Sequence, residues 1–157
     1  MKLHLDSIDR QLLALLQQDA EIPLAELADA VNLSNTPCWR RIQWLREKGY
    51  ITRQVALVDP RKVNVGVTVF VAIKTNQHQE AWFESLRDAV AGIPEIVEFY
   101  RMSGDVDYLL RVVVPDIRAY DAVYKRLTRA VTLSDVSSSF AMEEIKFTTA
   151  LPLTYAE

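Results

Sequence analysis

The chain has 157 residues, half of them apolar and a quarter charged, with a net charge of −3, a composition that excludes disorder and suits one large or two small globular domains. Its single cysteine, Cys38, excludes an intramolecular disulfide. The longest apolar run, 65–73, is broken by Gly66 and Thr68 and falls far short of the ~20 residues of a membrane span. Asp6 and Asp9 stand where a secretory leader would be basic and then apolar, so a cytoplasmic protein with no membrane partner is expected.

The charge is unevenly placed. Residues 1–39 carry two basic and six acidic side chains, residues 40–62 seven basic and two acidic, and the remainder nine basic and thirteen acidic. A local excess of positive charge, rather than the global sum, attracts phosphate, although a solvated helix face has the same composition.

Asp6 reads as the N-cap of a first helix, with Asp9 in its first turn and Ile8, Leu12, Leu15 and Leu16 on one face. Pro23 suits the first position of a short second helix whose buried stripe is Leu24, Leu27, Ala28 and Val31. Asn32 can take the left-handed conformation of a tight turn, Leu33 plugs the core, and Ser34 caps a third helix that runs to Lys48 and stops at Gly49. Two short helices joined by such a turn match the helix-turn-helix pattern. At 100° per residue, Cys38, Ile42 and Leu45 face the core, and Thr36, Arg40, Gln43 and Glu47 face outward with Trp39 and Trp44 on the flanks. A hydroxyl, a guanidinium and an amide near the N-terminus of that helix are groups that read base edges in a major groove. Arg41, Arg46 and Arg53 are placed for phosphate, which positions the protein without specifying sequence. Cys38 reads as a core residue, and Trp39 as either a surface contact or padding for the partner helix.

Residues 54–66 form a linker with a strand-like stretch at 55–59, ended by Pro60. Residues 67–74 read as a buried strand, and Trp82, Phe83, Leu86, Ala89 and Val90 as a helical stripe closed by Gly92 and Pro94. Residues 96–102 and 108–114 read as a hairpin turning at Gly104. A second helix starts at Pro115-Asp116, with Ile117, Tyr120, Val123, Tyr124 and Leu127 on its face, and 136–148 is a last strand. The expected architecture is therefore α+β: a helix-turn-helix domain over 1–53, the linker, and over 67–157 a ferredoxin-like βαββαβ sandwich. With two helices available for one sheet face, the other calls for a second copy of the chain. In the hairpin loop, Asp105 and Asp107 can accept hydrogen bonds from an ammonium group while loop N–H groups meet a carboxylate; turn aspartates that satisfy their own backbone have the same spacing.

Leu5-Asp6-x-Ile8-Asp9-Arg10-x-Leu12-Leu13, Leu27-Ala28-x-x-Val31-Asn32-Leu33-Ser34-x-Thr36-Pro37-Cys38-x-Arg40-Arg41-Ile42, Leu45-x-x-x-Gly49-Tyr50-Ile51 and Ala56-Leu57-Val58-Asp59-Pro60 resemble, in this order, the leucine-responsive regulator/AsnC (feast/famine) family. Ser103-Gly104-Asp105-Val106-Asp107-Tyr108-Leu109-Leu110 and Met142-Glu143-Glu144-Ile145-Lys146 extend the resemblance over nearly the whole chain. Asn32 replaces a glycine of many members, a substitution its backbone conformation tolerates. The resemblance implies a winged helix-turn-helix that binds a pseudo-palindromic operator in double-stranded DNA through Ser34, Thr36, Pro37, Trp39, Arg40, Arg41, Gln43, Arg46 and Arg53. It implies dimers that assemble further, up to an octamer, and no cofactor beyond an amino-acid effector. That effector would lie between dimers against Met102, Gly104, Asp105, Asp107 and Tyr108, with Ser137, Ser138 and Ser139 of the last strand closing the pocket. A serine rim implies a small or polar effector, and a bulge would decide which serines face it. The segments 35–39, 138–143 and 148–153 resemble regulators of cysteine detoxification, which makes cysteine the first candidate.

Two other classes compete. An enzyme of this size shows a nucleophile–base pair, a metal cluster or a phosphate loop. This chain has two histidines, His4 and His78, in tail and loop positions, no glycine-rich loop, and two loop aspartates without neighbouring His or Cys ligands; no catalytic or metal site is expected. The alternative of a winged-helix module that binds a protein partner is opposed by the outward Thr36, Arg40 and Gln43.

Overall fold

A computed structural model describes residues 4–77 and 79–156; His78 lies outside the described residues. The chain divides into two compact units, one comprising the residues up to Ala56 together with those from Lys146 onward, the other Leu57–Ile145.

The first unit is built on three helices: α1 (Ser7–Gln18), α2 (Leu24–Ala30) and α3 (Asn35–Glu47). Asp6 caps α1 by accepting from the Asp9 amide, and Asp9 returns the bond by accepting from the Asp6 amide, a reciprocal capping box. Pro23 sits one position earlier than expected, as the N-cap of α2, where its absent N–H costs nothing. Asn32 turns the chain at φ 54°, and the Leu33 amide then closes on the Ala28 carbonyl at 2.8 Å. Gly49, at φ 77°, ends α3. Leu12, Leu27, Ala28, Cys38, Ile42 and Leu45 form the core.

Asp9 is fully buried. Its Oδ1 accepts from Arg41 Nη1 at 2.8 Å, and the same nitrogen donates to Asp6 Oδ2 at 2.7 Å. The pairing crosses from α3 to the start of α1 and fixes the angle at which they pack. The unit also includes a segment that sequence order assigned to the other domain. Leu153 and Ala156 pack on the three-helix core, Gln17 and Leu151 exchange two hydrogen bonds (3.2 and 2.6 Å), and Arg10 donates to the Ala156 carbonyl at 2.7 Å.

Cys38 is wholly buried, and desolvation raises the pKa of its thiol against the opposing pull of Arg41. A thiol reagent at pH 8 is expected to label it on the order of a hundredfold more slowly than in denatured chain, since labelling needs the unit to open. Native labelling at the denatured rate would show that α3 is not held on this core.

The second unit follows the order β1 (Val67–Lys74), α4 (Glu80–Ala91), β2 (Ile96–Arg101), β3 (Tyr108–Val114), α5 (Ile117–Ala130), β4 (Asp135–Phe140). The sheet is antiparallel throughout, ordered β2-β3-β1-β4, which is the ferredoxin-like topology. Strict alternation along β3, with Tyr108, Leu110, Val112 and Val114 buried, directs one face onto α4 and α5. Asp116 caps α5 by accepting from the Ala119 amide. Ile117, placed on the buried face by its spacing, is 70 % exposed.

Two expected strands differ. Nothing regular forms at 52–59, where Val55, Leu57 and Val58 are exposed and no neighbouring strand receives their backbone. The last strand stops at Phe140 rather than continuing to 148. Phe140 pairs with Val69, the Ala141 amide reaches Thr68, and β1 offers almost nothing further to pair with.

Candidate DNA interface and effector site

In the first unit, the outward face of α3 follows from burying Cys38, Ile42 and Leu45. Ser34 precedes the helix with extended backbone and makes no side-chain cap. Thr36, Pro37, Trp39 and Arg40 are exposed and Gln43 is half-buried. Arg40 forms no ion pair among the described residues. Trp39 is 52 % exposed, so it does not serve as core padding. It borders a groove of about 180 Å³ floored by Leu16, Ile22, Leu24 and Leu27 and rimmed by Gln43, Arg46 and Gln54.

The three arginines expected at phosphate have different surroundings. Arg41 is engaged by Asp6 and Asp9, which raise its pKa and neutralise its charge. Arg46 is exposed and donates to Gln54 Oε1 at 2.9 Å, while Gln54 Nε2 donates to the Ala20 carbonyl at 3.3 Å. Arg53 is exposed. Gln54 was not singled out by sequence, which shows no pattern joining it to Arg46.

In the second unit, the 102–107 loop is held at three points. The Met102 amide donates to the Asp107 carbonyl (2.8 Å), the Asp107 amide to the Ile73 carbonyl (3.0 Å), and the Thr75 amide to Asp107 Oδ2 (2.7 Å). Gly104 adopts φ 104°, a conformation strained for any side chain. Asp105 is exposed, and one oxygen of Asp107 is committed to the end of β1. Tyr108 does not border the loop surface as expected. It is buried at the centre of a ring cluster with Trp82, Phe83 and Phe99, at centroid distances of 5.8, 5.8 and 5.7 Å.

The β1–β4 register runs without a bulge and separates the serines. Ser137 and Ser139 pair with Ala72 and Phe70 on the helix-free face, and Ser138 pairs with Val71 on the helix side, bonded to the Tyr120 hydroxyl. The hairpin loop and the serines lie on either side of β1, so one chain sets them about 10 Å apart, two strand spacings.

A three-helix reader with an outward polar face, joined to a βαββαβ unit with one bare sheet face, defines a DNA-binding regulator with a separate ligand-binding domain. Comparison with known proteins gives the particular family. Residues 5–52 match the winged helix-turn-helix DNA-binding model, and residues 68–151 match the Lrp/AsnC ligand binding domain. The chain is 53 % identical over 150 residues to the DNA-binding transcriptional activator DecR of Escherichia coli, covering 95 % of this chain and 99 % of the relative. An AsnC family transcriptional regulator from Agrobacterium tumefaciens superposes with a TM-score of 0.93 at 59 % identity, over 96 % of this chain and 99 % of that one. A transcriptional regulator from Neisseria meningitidis in complex with L-Met superposes at 0.91 with 32 % identity, over 96 % and 97 %. The chain belongs to the Lrp/AsnC family of DNA-binding transcription regulators. Among the described residues, no helix is long and apolar enough to cross a membrane.

Proposed function

We propose that this chain is a cytoplasmic regulator that reads a pseudo-palindromic operator through Thr36, Arg40 and Gln43, and whose assembly or DNA affinity responds to a small amino acid. The observation that carries the reading is the outward face of α3, where Arg40 is exposed and, among the described residues, without a carboxylate partner, while Arg41, one residue on, is neutralised. Dimers would set two copies of α3 in successive major grooves, one helical turn apart. An effector that binds the assembled states unequally would shift their populations, and with them DNA affinity.

The helix-free sheet face supports self-association. It presents Phe70 (40 % exposed), Tyr100 (50 %), Ala72, Leu109 and Val113 around the Arg111–Glu98 ion pair, and neither helix covers it. A second copy would bury this patch, and further association of dimers up to an octamer would complete an effector pocket that one chain leaves divided. Ala72→Glu puts a carboxylate between Leu109 and Ser137, where a solvated monomer tolerates it and a closed interface does not. Sedimentation is expected to shift towards monomer, with the monomer's own unfolding temperature little changed; a variant that sediments as wild type would remove this face from the assembly.

Cysteine is the first effector to test. The A. tumefaciens and DecR matches do not choose an amino acid, while the N. meningitidis complex holds L-Met, another sulfur-containing one. Fluorescence anisotropy with DNA from upstream of the protein's own gene, titrated with salt and repeated with each amino acid, tests the whole reading. Tight, steeply salt-dependent binding that one amino acid alters is the expected result. Failure on that DNA and on a random-sequence selection would favour a winged-helix module that binds a protein partner.

A further inference from the structure

We infer that Gln54 is a positioning residue for DNA binding, which holds the guanidinium of Arg46 ready for a backbone phosphate. Arg46 lies in the last turn of α3, on the flank that also carries Trp39 and Gln43. Its Nη2 donates to Gln54 Oε1, and Gln54 Nε2 donates in turn to the Ala20 carbonyl between α1 and α2. Both ends of the amide are used, and a flipped amide would set its NH2 against the guanidinium, so the orientation is determined. The anchor is itself fixed, because Asp19 Oδ1 accepts from the Glu21 amide at 2.8 Å within the same turn. Gln54 thus bridges from that turn to the end of α3, beyond the last residue of the helix.

The contrast with Arg41 gives this bridge its meaning. Two arginines of one helix are both held. Arg41 is held by two carboxylates, half-buried and neutralised. Arg46 is held by a neutral acceptor on an exposed surface, which uses one of its five N–H donors and leaves the positive charge intact. A carboxylate there would compete with DNA. A neutral amide removes side-chain freedom that binding would otherwise have to remove, without opposing the phosphate. A long cation whose only task was packing would not need an uncharged partner. The polar rim of the groove, Gln43, Arg46 and Gln54, then presents a charged edge beside the base-reading residues of α3.

The inference rests on α3 being the DNA-contacting helix, which substitution of Arg40 tests separately. The full-length protein is compared with Gln54→Ala, Gln54→Glu and Arg46→Ala, and with Gln54→Glu in the Arg46→Ala background, on operator and random duplex at several salt concentrations. Gln54→Ala is expected to weaken both duplexes alike by about three- to tenfold, the cost of ordering one long side chain on binding. Gln54→Glu keeps the shape and neutralises Arg46, so it is expected to weaken both further and to lower the slope of log K against log salt by about 0.9, one phosphate contact. The Gln54→Glu loss should not persist once Arg46 is alanine. Tryptophan fluorescence during thermal unfolding monitors the fold, and the salt slope is a readout that a purely structural role of Gln54 would not move. The inference is overturned if both Gln54 variants bind within twofold of wild type, or if Gln54→Glu costs as much without Arg46 as with it. Loss confined to the operator would also overturn it, and would make Gln54 a base-reading residue.

Discussion

Asp9→Ala is expected to unfold the DNA-binding unit at a temperature about 12–24 °C lower than wild type, while the βαββαβ unit keeps its own transition. Asp9 is a charge wholly removed from water, and it is tolerated because each oxygen has a partner: the Asp6 amide on one, Arg41 on the other. Its removal deletes half of the α1 capping box and leaves Arg41 with Asp6 alone. Taking one partner from a buried pair costs about 3–5 kcal/mol. Arg41 is 28 % exposed and retains Asp6, so the low end of that range applies here, at about 3 kcal/mol. In a unit of this size each kcal/mol moves the midpoint by about 4–8 °C. Thiol labelling of Cys38 follows this unit selectively, because it is the chain's only cysteine and lies in the same core. Faster labelling together with unchanged sedimentation would place the damage where the argument puts it. A midpoint within 2 °C of wild type would mean that the capping box and ion pair contribute nothing beyond what water supplies. DNA affinity should fall with the folded fraction, and a stabilising solute should restore it. Arg40→Ala, by contrast, acts on binding and leaves the unit folded.

The particular residues show why some of this was legible in sequence and some was not. The strands β1 and β3 stand at the expected residues because β-branched runs with one buried face admit a single register. The turn at Asn32 was legible because few residues take positive φ at low cost. Asp9 stands in the first turn as expected, but its pairing was not legible, because an acidic residue there looks the same whether it faces water or an arginine 32 positions away. A usable signal was present in the Asp6-x-x-Asp9 spacing, which matches a reciprocal cap. The tail could not be assigned to the first unit, since the apolar spacing of Leu151, Leu153 and Ala156 does not name its partner, and chain order favoured the nearer domain. Tyr108 was placed beside the effector loop by its neighbours in sequence, yet the two-residue period of β3 turns its ring into the core with Leu110 and Val112. The same period resolves the three serines, once β1 supplies the opposite strand. The proposed pocket is less legible than the proposed reading face for a physical reason. The reading face belongs to one helix, whereas loop and serines lie on opposite sides of β1 and need another surface to close them.

Arg40→Ala is expected to remove discrimination between operator and random duplex by about 10- to 100-fold, out of the 1–3 kcal/mol that a bidentate base contact supplies. Arg40 is suited to that role by what surrounds it. It sits in the second turn of α3, on the side opposite Cys38, Ile42 and Leu45, and among the described residues no carboxylate engages it. A guanidinium aimed at a base edge gains from its fork geometry and loses that gain at a mismatched base, where buried donors go unpaired. Arg53, exposed and beyond the helix, should behave differently. Arg53→Ala is expected to weaken operator and random duplex in equal proportion and to lower the salt slope by about 0.9. The two substitutions remove the same charge, so net electrostatics cannot account for a difference between them. The decisive comparison is therefore the ratio of operator to random affinity for each variant at one fixed salt concentration. If Arg40→Ala preserves that ratio and merely lowers both affinities, Arg40 is a phosphate contact, and sequence recognition passes to Thr36 and Gln43 on the same face.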